Sequence, residues 1–305
     1  MTQFPKFPDL KELGIQDKTI FDEYFKRYPP MISEFTFTNL FMWRHYYNFK
    51  WAILNENIVI VASPEEKQYF FPPIGENRVK ETVLECLSYS EKLGFDGVMK
   101  RVPENIAKLF SLPSNEDKVK VEFDRDNSDY VYLIKNLIVL QGSNYRSQRQ
   151  NIKQFRSQHE FEYIPLTKET IPGCLELQED WCDIRACYDD LSLAGEDKAI
   201  FEALLHFETL NFRGGVILVE EAIKAFTMGE ILNEDSTVVI HIEKGRQERD
   251  YRGVYETINK QFLENEWTNF KYVNREQDLG IEGLRKAKMS YHPEFMIDKY
   301  TLTKV

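Results

Sequence analysis

One order of helical and extended segments can be read twice along this chain, and that repetition restricts the fold more than any single segment does. In the first half, helical periodicity from Asp17 to Tyr28 precedes the aromatic stretch Phe35 to Phe49, a run of rings suited to a core helix. Trp51 to Leu54 and Ile58 to Ala62 flank the turn Asn55-Glu56-Asn57. Tyr69 to Phe71 is a third apolar run, and Pro72-Pro73-Ile74-Gly75 closes what reads as an antiparallel meander. Apolar residues at 79, 83, 84, 87 and 93 predict an amphipathic helix stopped by Gly94. Gly97 to Val102 then predicts a strand, Glu104 to Phe110 a short helix, and Val119 to Phe123 and Tyr130 to Ile134 late strands.

The second half follows the same plan. Phe161 to Leu166 predicts a strand, and Ile171 to Ala186 and Lys198 to Leu210 predict helices. Val216 to Glu220, Ile223 to Leu232 and Val238 to Ile242 form a second meander, its first turn placed at Glu221-Ala222. Val254 to Leu263 is a helix, Phe270 to Val273 a strand, Ile281 to Lys288 a short helix, and Tyr291 to Leu302 a terminal extended region. No residue identity relates the halves, so the repeat lies in the pattern alone. It predicts two domains, residues 1–138 and 139–305, linked near Lys135 to Gly142.

Composition narrows the function. With 42% hydrophobic and 29% charged residues, and only 14 Gly and 12 Pro in 305, disordered and collagen-like classes are excluded. A net charge of -11 opposes a broad nucleic-acid or anionic-membrane footprint, leaving room for a local basic patch. No window approaches 18 uncharged apolar residues, and Met1 to Leu10 lacks the basic and apolar regions of a signal peptide, so a soluble cytoplasmic protein without membrane insertion is expected. Cys86, Cys174, Cys182 and Cys187 have no CxxC pair and are expected to be reduced thiols. A nucleophile pair of Cys182, Cys187 and His206 lacks an orienting third group. The five histidines lack metal-binding spacing, so no metal is expected.

Four stretches carry a family resemblance: AFTMGEIL (Ala225 to Leu232), VVIHIEKG (Val238 to Gly245), YRGVYETINKQF (Tyr251 to Phe262) and VNREQDLGIEGLRKAKMSY (Val273 to Tyr291). They resemble the domain of uncharacterised bacterial proteins related to the carboxy-terminal part of phosphatidylglycerol lysyltransferase, and more remotely the Fem aminoacyltransferases. The resemblance is loose over Phe35 to Leu302 and close over Gly214 to Tyr291. It implies an α+β chain of tandem GNAT-like acyltransferase domains, with mixed, mostly antiparallel sheets and helices on both sides. It further implies N-acyl or aminoacyl transfer from an acyl-coenzyme A thioester or an aminoacyl-tRNA ester to an amine or hydroxyl acceptor, on a small molecule or a peptide. A non-catalytic ligand-binding module on the same fold is the alternative.

Acyl transfer in such a fold needs a diphosphate site where a strand opens into a helix amino terminus. Lys244 to Gly253 falls there. Against the GNAT signature, Gln or Arg, two residues, Gly, one residue, then Gly or Ala, the chain offers Arg249-Asp250-Tyr251-Arg252-Gly253-Val254, in which larger residues fill both small-residue positions and the one glycine is displaced by a position. Arg246, Arg249 and Arg252 would supply charge to coenzyme A phosphates instead; the other reading is a charged turn capped by Gly253. Strand alternation predicts Val239, His241 and Glu243 on one face, with Phe226, Met228 and Glu230 sharing a face of the neighbouring strand. Glu243, Glu230 and His241 are therefore the candidate bases, with Glu230 expected near Glu243, and Tyr291 is the candidate acid. Ion-paired or solvent-facing roles are the alternative for each.

Asn274, Arg275, Glu276 and Asp278 lie in a strand-to-helix loop and are assigned to substrate, with Asp278 also expected to cap the next helix and Lys286 and Lys288 near its end. Arg146, Arg149, Lys153 and Arg156, spaced three, four and three apart, form one stripe on a helix. Such a stripe fits a phosphate-bearing donor, with Arg149 and Lys153 as cofactor contacts, or else a solvated face over inward Ile152 and Phe155.

Overall fold

The computed structural model describes residues 4–111, 118–233 and 236–305; Met1 to Gln3 of the amino-terminal stretch lie outside the described residues. In chain order the strands of the first half are β1 (Lys11–Glu12), β2 (Lys50–Leu54), β3 (Asn57–Ala62), β4 (Tyr69–Phe70), β5 (Val98–Pro103), β6 (Val119–Phe123) and β7 (Asp129–Leu133). Those of the second are β8 (Phe161–Pro165), β9 (Arg213–Val219), β10 (Ala222–Asn233), β11 (Thr237–Gly245), β12 (Tyr272–Asn274), β13 (Phe295–Ile297) and β14 (Lys299–Lys304). Helices α1 (Lys18–Arg27), α2 (Phe37–Tyr47), α3 (Val79–Lys92) and α4 (Glu104–Ala107) belong with the first group. Then come α5 (Ile134–Val139), α6 (Arg146–Gln158), α7 (Ile171–Arg185), α8 (Leu191–Leu205), α9 (Phe207–Leu210), α10 (Val254–Glu266) and α11 (Glu282–Met289).

Two seven-stranded, mostly antiparallel sheets result, ordered β1-β2-β3-β4-β5-β14-β6 and β13-β7-β12-β11-β10-β9-β8. Each contains a meander joined to a parallel strand across a helix. Local backbone repeats as well. Asn55 and Glu56 both take left-handed φ, 50° and 63°, in the two-residue turn between β2 and β3, and Glu220 and Glu221 take 49° and 63° between β9 and β10. Both are turns of mirror-image type, whose twist suits a hairpin. The second thus turns at Glu220-Glu221, one residue earlier than expected. In each sheet the last parallel pair, Phe70 with Met99 and Val239 with Asn274, is followed two residues on by a left-handed non-glycine, Arg101 at 59° and Glu276 at 58°.

The late strands are exchanged between the sheets. β7 pairs with β12 in the second sheet, whereas β14 lies between β5 and β6 in the first. Two compact units follow: residues 1–129, 277–280 and 296–305 in the first, residues 130–276 and 281–295 in the second. The division therefore falls at Asp129/Tyr130 and takes back two later segments, while Lys135 to Gly142 is largely helix α5. Periodicity identifies a strand but not its partner, so the exchange is invisible in a pattern.

Burial explains where the strands seat. The first unit packs Val59, Val61, Phe70, Met99 and Leu302 with Val83 and Leu87 of α3. Lys299, fully buried on β14, is held there by Glu34 (2.7 and 2.8 Å) and Asp129 (2.6 Å), and Asp129 also accepts from the Ser33 amide and hydroxyl. The second unit packs Ile217, Val219 and Ala225 of its sheet against Phe155 of α6 and Val254 and Ile258 of α10.

Two expectations are corrected. Cys182 and Cys187 form a disulfide that closes the turn after α7, so these two are not reduced thiols; both are buried beside Trp181. Cys86 and Cys174 are free and buried, which pushes both thiols up and leaves them unreactive. Helix α8 begins at Leu191, well before Lys198, because the Asp190 carboxylate accepts from the amides of Ser192 and Leu193 and starts the helix there.

Candidate active site

The site is built where β11 and β12 part. They pair in parallel at three positions, ending at Val239 with Asn274, after which β11 continues to Gly245 while β12 stops. The side chains that follow on each strand face one another across the opening. Asn274 is buried, and its carboxamide oxygen accepts from the Glu276 amide (2.8 Å), which fixes the left-handed turn that aims Arg275 and Glu276.

A bulge redistributes the faces of β11. Met228 opposes Ile242 and Gly229 opposes Ile240, so His241 is the extra residue. Gly229 permits this, because a side-chain carbon there would run into the backbone carbonyl of Val239. Glu230 opposes Val239 and Glu243 opposes Thr227. Glu230 and Thr227, an odd number apart on β10, point to opposite faces. The expected single face of Val239, His241 and Glu243 is thus split, and Glu230 and Glu243 project from opposite sides of the sheet.

On the first face His241 bridges two carboxylates, Nε2 to Glu230 (2.9 Å) and Nδ1 to Glu276 (2.8 Å). Its side chain is 1% exposed, against 18% for Glu230 and 19% for Glu276. Burial opposes a charge on the ring, but hydrogen bonds and the field of Glu230 and Glu276 outweigh it and raise the pKa to about 9. At neutral pH both ring nitrogens are therefore donors, and His241 is an imidazolium that orients two acids rather than a free base.

On the α10 face Glu243 accepts from Arg275 (2.5 Å) and from Asn259 of α10 (2.9 Å). Burial works against the guanidinium, yet Glu243 keeps it charged. Arg275 lies 4.8 Å from the Tyr291 ring and 5.8 Å from that of Tyr132. Its Nη1 is buried without a hydrogen-bond partner among the described residues. Burial pushes the Tyr291 phenol up, so it stays protonated. Lys288 of α11 donates to the carbonyl of Arg275, closing the loop from behind.

The remaining predicted residues are placed elsewhere or engaged. Asp278 belongs to the first unit, where it pairs with Arg125 (3.1 Å) and accepts from the Gly280 amide; the cap position of α11 is Ile281. Arg149 donates to the carbonyls of Leu140 and Gly142, closing the end of α5, and Arg146, Lys153 and Arg156 are exposed. Arg156 lines an open groove of about 430 Å³ with His159, Phe161, Tyr163 and Gln261, away from the strand divergence. Lys286 is exposed near the end of α11.

The α10 amino terminus does not offer the cradle that a coenzyme A diphosphate needs. Gly253, at φ 98°, is covered by the main chain of Asn151 in α6. Arg252 donates to the Asn151 side chain (3.2 Å), Arg246 pairs with Asp180 (2.5 Å), and Arg249 stands exposed. The sequence shows the displaced glycine; the helix that fills the space comes from over 100 residues upstream and leaves no local trace. Sequence reasoning also missed Asn259 as a supporting residue, although a polar side chain on an amphipathic helix was a signal, and it assigned Asn274 to substrate, whereas its carboxamide shapes the turn to Glu276. Among the described residues no cluster could hold a metal ion, and no helix is long and apolar enough to cross a membrane.

Residues 25–303 match the sequence profile of the family described as phosphatidylglycerol lysyltransferase, C-terminal. An uncharacterised protein of Mycoplasmoides gallisepticum is 25% identical over 189 residues, which span 61% of this chain and 59% of that relative. A conserved protein of unknown function from Bacteroides thetaiotaomicron superposes with a TM-score of 0.88 at 29% identity, covering 99% of this chain and 100% of that one. The structure of L-PGS from Bacillus licheniformis shares the fold, with a TM-score of 0.66 at 10% identity over 99% of this chain and 94% of its own.

Proposed function

The chain belongs to the family of the carboxy-terminal domain of phosphatidylglycerol lysyltransferase, and from that membership we propose that it transfers an aminoacyl group from an ester donor, of the class of aminoacyl-tRNA, to an amine or hydroxyl acceptor. The observation that carries the reading is the unpartnered Nη1 of Arg275, buried at the β11/β12 divergence between Glu243 and Tyr291. A buried donor without an acceptor calls for an explanation, and a carbonyl oxygen that gains negative charge during acyl transfer is a fitting one.

In this reading the acceptor's nitrogen or oxygen attacks the ester carbonyl carbon, and the new bond forms as the carbonyl oxygen becomes anionic beside Arg275. The acceptor's proton passes to Glu243. Collapse then breaks the acyl–oxygen bond, and the leaving alkoxide takes the Tyr291 proton. Glu230 and Glu276, held by the His241 imidazolium, carry a net charge of -1 as a trio and would receive the ammonium group of the aminoacyl donor. No step is routed through coenzyme A, given the covered α10 terminus. Arg246, Arg249, Arg252, Arg149 and Lys153 therefore have no part in the chemistry proposed.

The second reading, a binding module without chemistry, is favoured by the fact that Glu243 already has two partners. Radiolabelled aminoacyl-tRNA offered with small amine and hydroxyl acceptors separates the two. Transfer by the wild-type chain, lowered by roughly 100-fold or more in Arg275→Lys, supports the enzyme. Label that stays on the tRNA with every acceptor, or transfer unaffected by the substitution, sinks it.

A further inference from the structure

The first unit contains a second strand divergence whose chemistry is opposite in sign. β4 and β5 pair in parallel only at Phe70 with Met99, and the residues that β5 then presents are Lys100 and Arg101. The Arg101 side chain is 10% exposed, sits in left-handed backbone, donates from Nη2 to the Tyr47 hydroxyl (2.9 Å) and approaches Glu34 through Nε at 3.5 Å. Its guanidinium lies 5.2 Å from the Tyr47 ring and 5.3 Å from that of Phe71. Non-glycine residues in strained backbone tend to sit at functional positions.

Charge counting isolates the feature. Glu34 and Asp129 are balanced by Lys299 and Arg101, a set that sums to zero. Lys100 is left over. Its ammonium rests 4.7 Å from the centre of the Tyr69 ring and forms no ion pair among the described residues. Among the described residues, the charges that act on it are Arg101 and Lys67, opposed by Asp124, whose carboxylate is already hydrogen-bonded to Asn127. In a chain of net charge -11, such a surplus of cations over an aromatic floor is not an average surface.

We propose that this divergence in the first unit, through Lys100, Arg101 and Lys67, binds a phosphate group. A guanidinium and two ammonium groups match a dianion with three oxygens better than a carboxylate. The aromatic floor of Tyr47 and Tyr69 keeps the cations desolvated and in place. Burial first, and then the neighbouring Arg101, pull the Lys100 ammonium down, and a bound dianion would reverse that. The proposal is independent of the chemistry at the β11/β12 opening.

Calorimetric titration of the full chain with inorganic phosphate at low salt tests it, with acetate as the control anion. Phosphate should bind at about 0.1–1 mM, the affinity of a small, partly exposed ion site. Binding should weaken as salt rises, and fall by about tenfold in Lys100→Gln, the loss of one charge-assisted bond. Lys67→Gln, at an exposed position, should reduce it less, and both variants should keep the wild-type melting temperature. Sedimentation with phosphatidic acid vesicles against phosphatidylcholine vesicles, repeated with Lys100→Gln, assigns the phosphate to a lipid headgroup if only that arm is positive. Absence of binding in both arms, equal binding of acetate, or unchanged binding by Lys100→Gln overturns the proposal.

Discussion

The main-chain carbonyl of Asn151 covers Gly253 so closely that no side chain fits between them. Helix α6 thereby packs its backbone on the first turn of α10, and Gly253 also takes a φ of 98° that L-residues rarely adopt. Gly253→Ala is expected to lower stability by about 2–4 kcal/mol, combining backbone strain with overpacking. Urea unfolding measures this, and a loss below about 0.5 kcal/mol, the range of a neutral surface change, would show that the two helices separate easily.

The His241 bridge predicts a pH dependence of stability. Its folded pKa of about 9 lies above the ordinary 6.5, so the stabilisation is fully present below pH 6.5 and is lost as pH rises through 9. That difference amounts to about 3 kcal/mol at most. Unfolding free energies at pH 6 and pH 9.5 should show wild type losing more than His241→Gln; parallel curves would mean that the ring is neutral.

Removing the buried ammonium on β14 should be more severe. Lys299→Met leaves Glu34 and Asp129 facing each other without their shared cation, a loss of about 3–5 kcal/mol. Denaturation of the variant reads this directly. Should the triple replacement of Lys299, Glu34 and Asp129 by apolar residues be equally damaging, packing and not charge would be the cause.

Turnover, once a donor and acceptor are in hand, should fall by roughly 100-fold or more in Glu243→Gln, the scale of a lost general base. Glu230→Gln should instead raise the concentration of donor needed for half-maximal rate, because it removes one acid from the His241 trio. Full activity in both variants would leave the proton to solvent.

The order of elements and most of the strands were legible because alternation and 3.6-residue periodicity survive burial: Val79 to Leu93 and Trp51 to Ala62 lie within a residue or two of their elements. Glu243, His241 and Glu230 were legible as polar groups in apolar strands. Their mutual geometry was not, since a single extra residue at His241 reverses every later side chain on β11. Asp278 followed the motif in sequence while serving Arg125 in the fold. Cys182 and Cys187 were misread because the turn that brings them together, with Ala186 in left-handed backbone, has no glycine or proline to mark it.

The exchange of β7 and β14 has a consequence for how the chain acquires its structure. Strands β5 and β6 have no common neighbour until residues 299–304 have been synthesised, so the first sheet cannot close before the second half exists. Folding one half and then the other, the usual course for consecutive domains, is unavailable here. Contacts that join distant points of a chain form slowly, and the early half must wait with an open seam. A fragment ending at residue 138 would stay in that waiting state, so the halves are inseparable as folding units even though each encloses its own core.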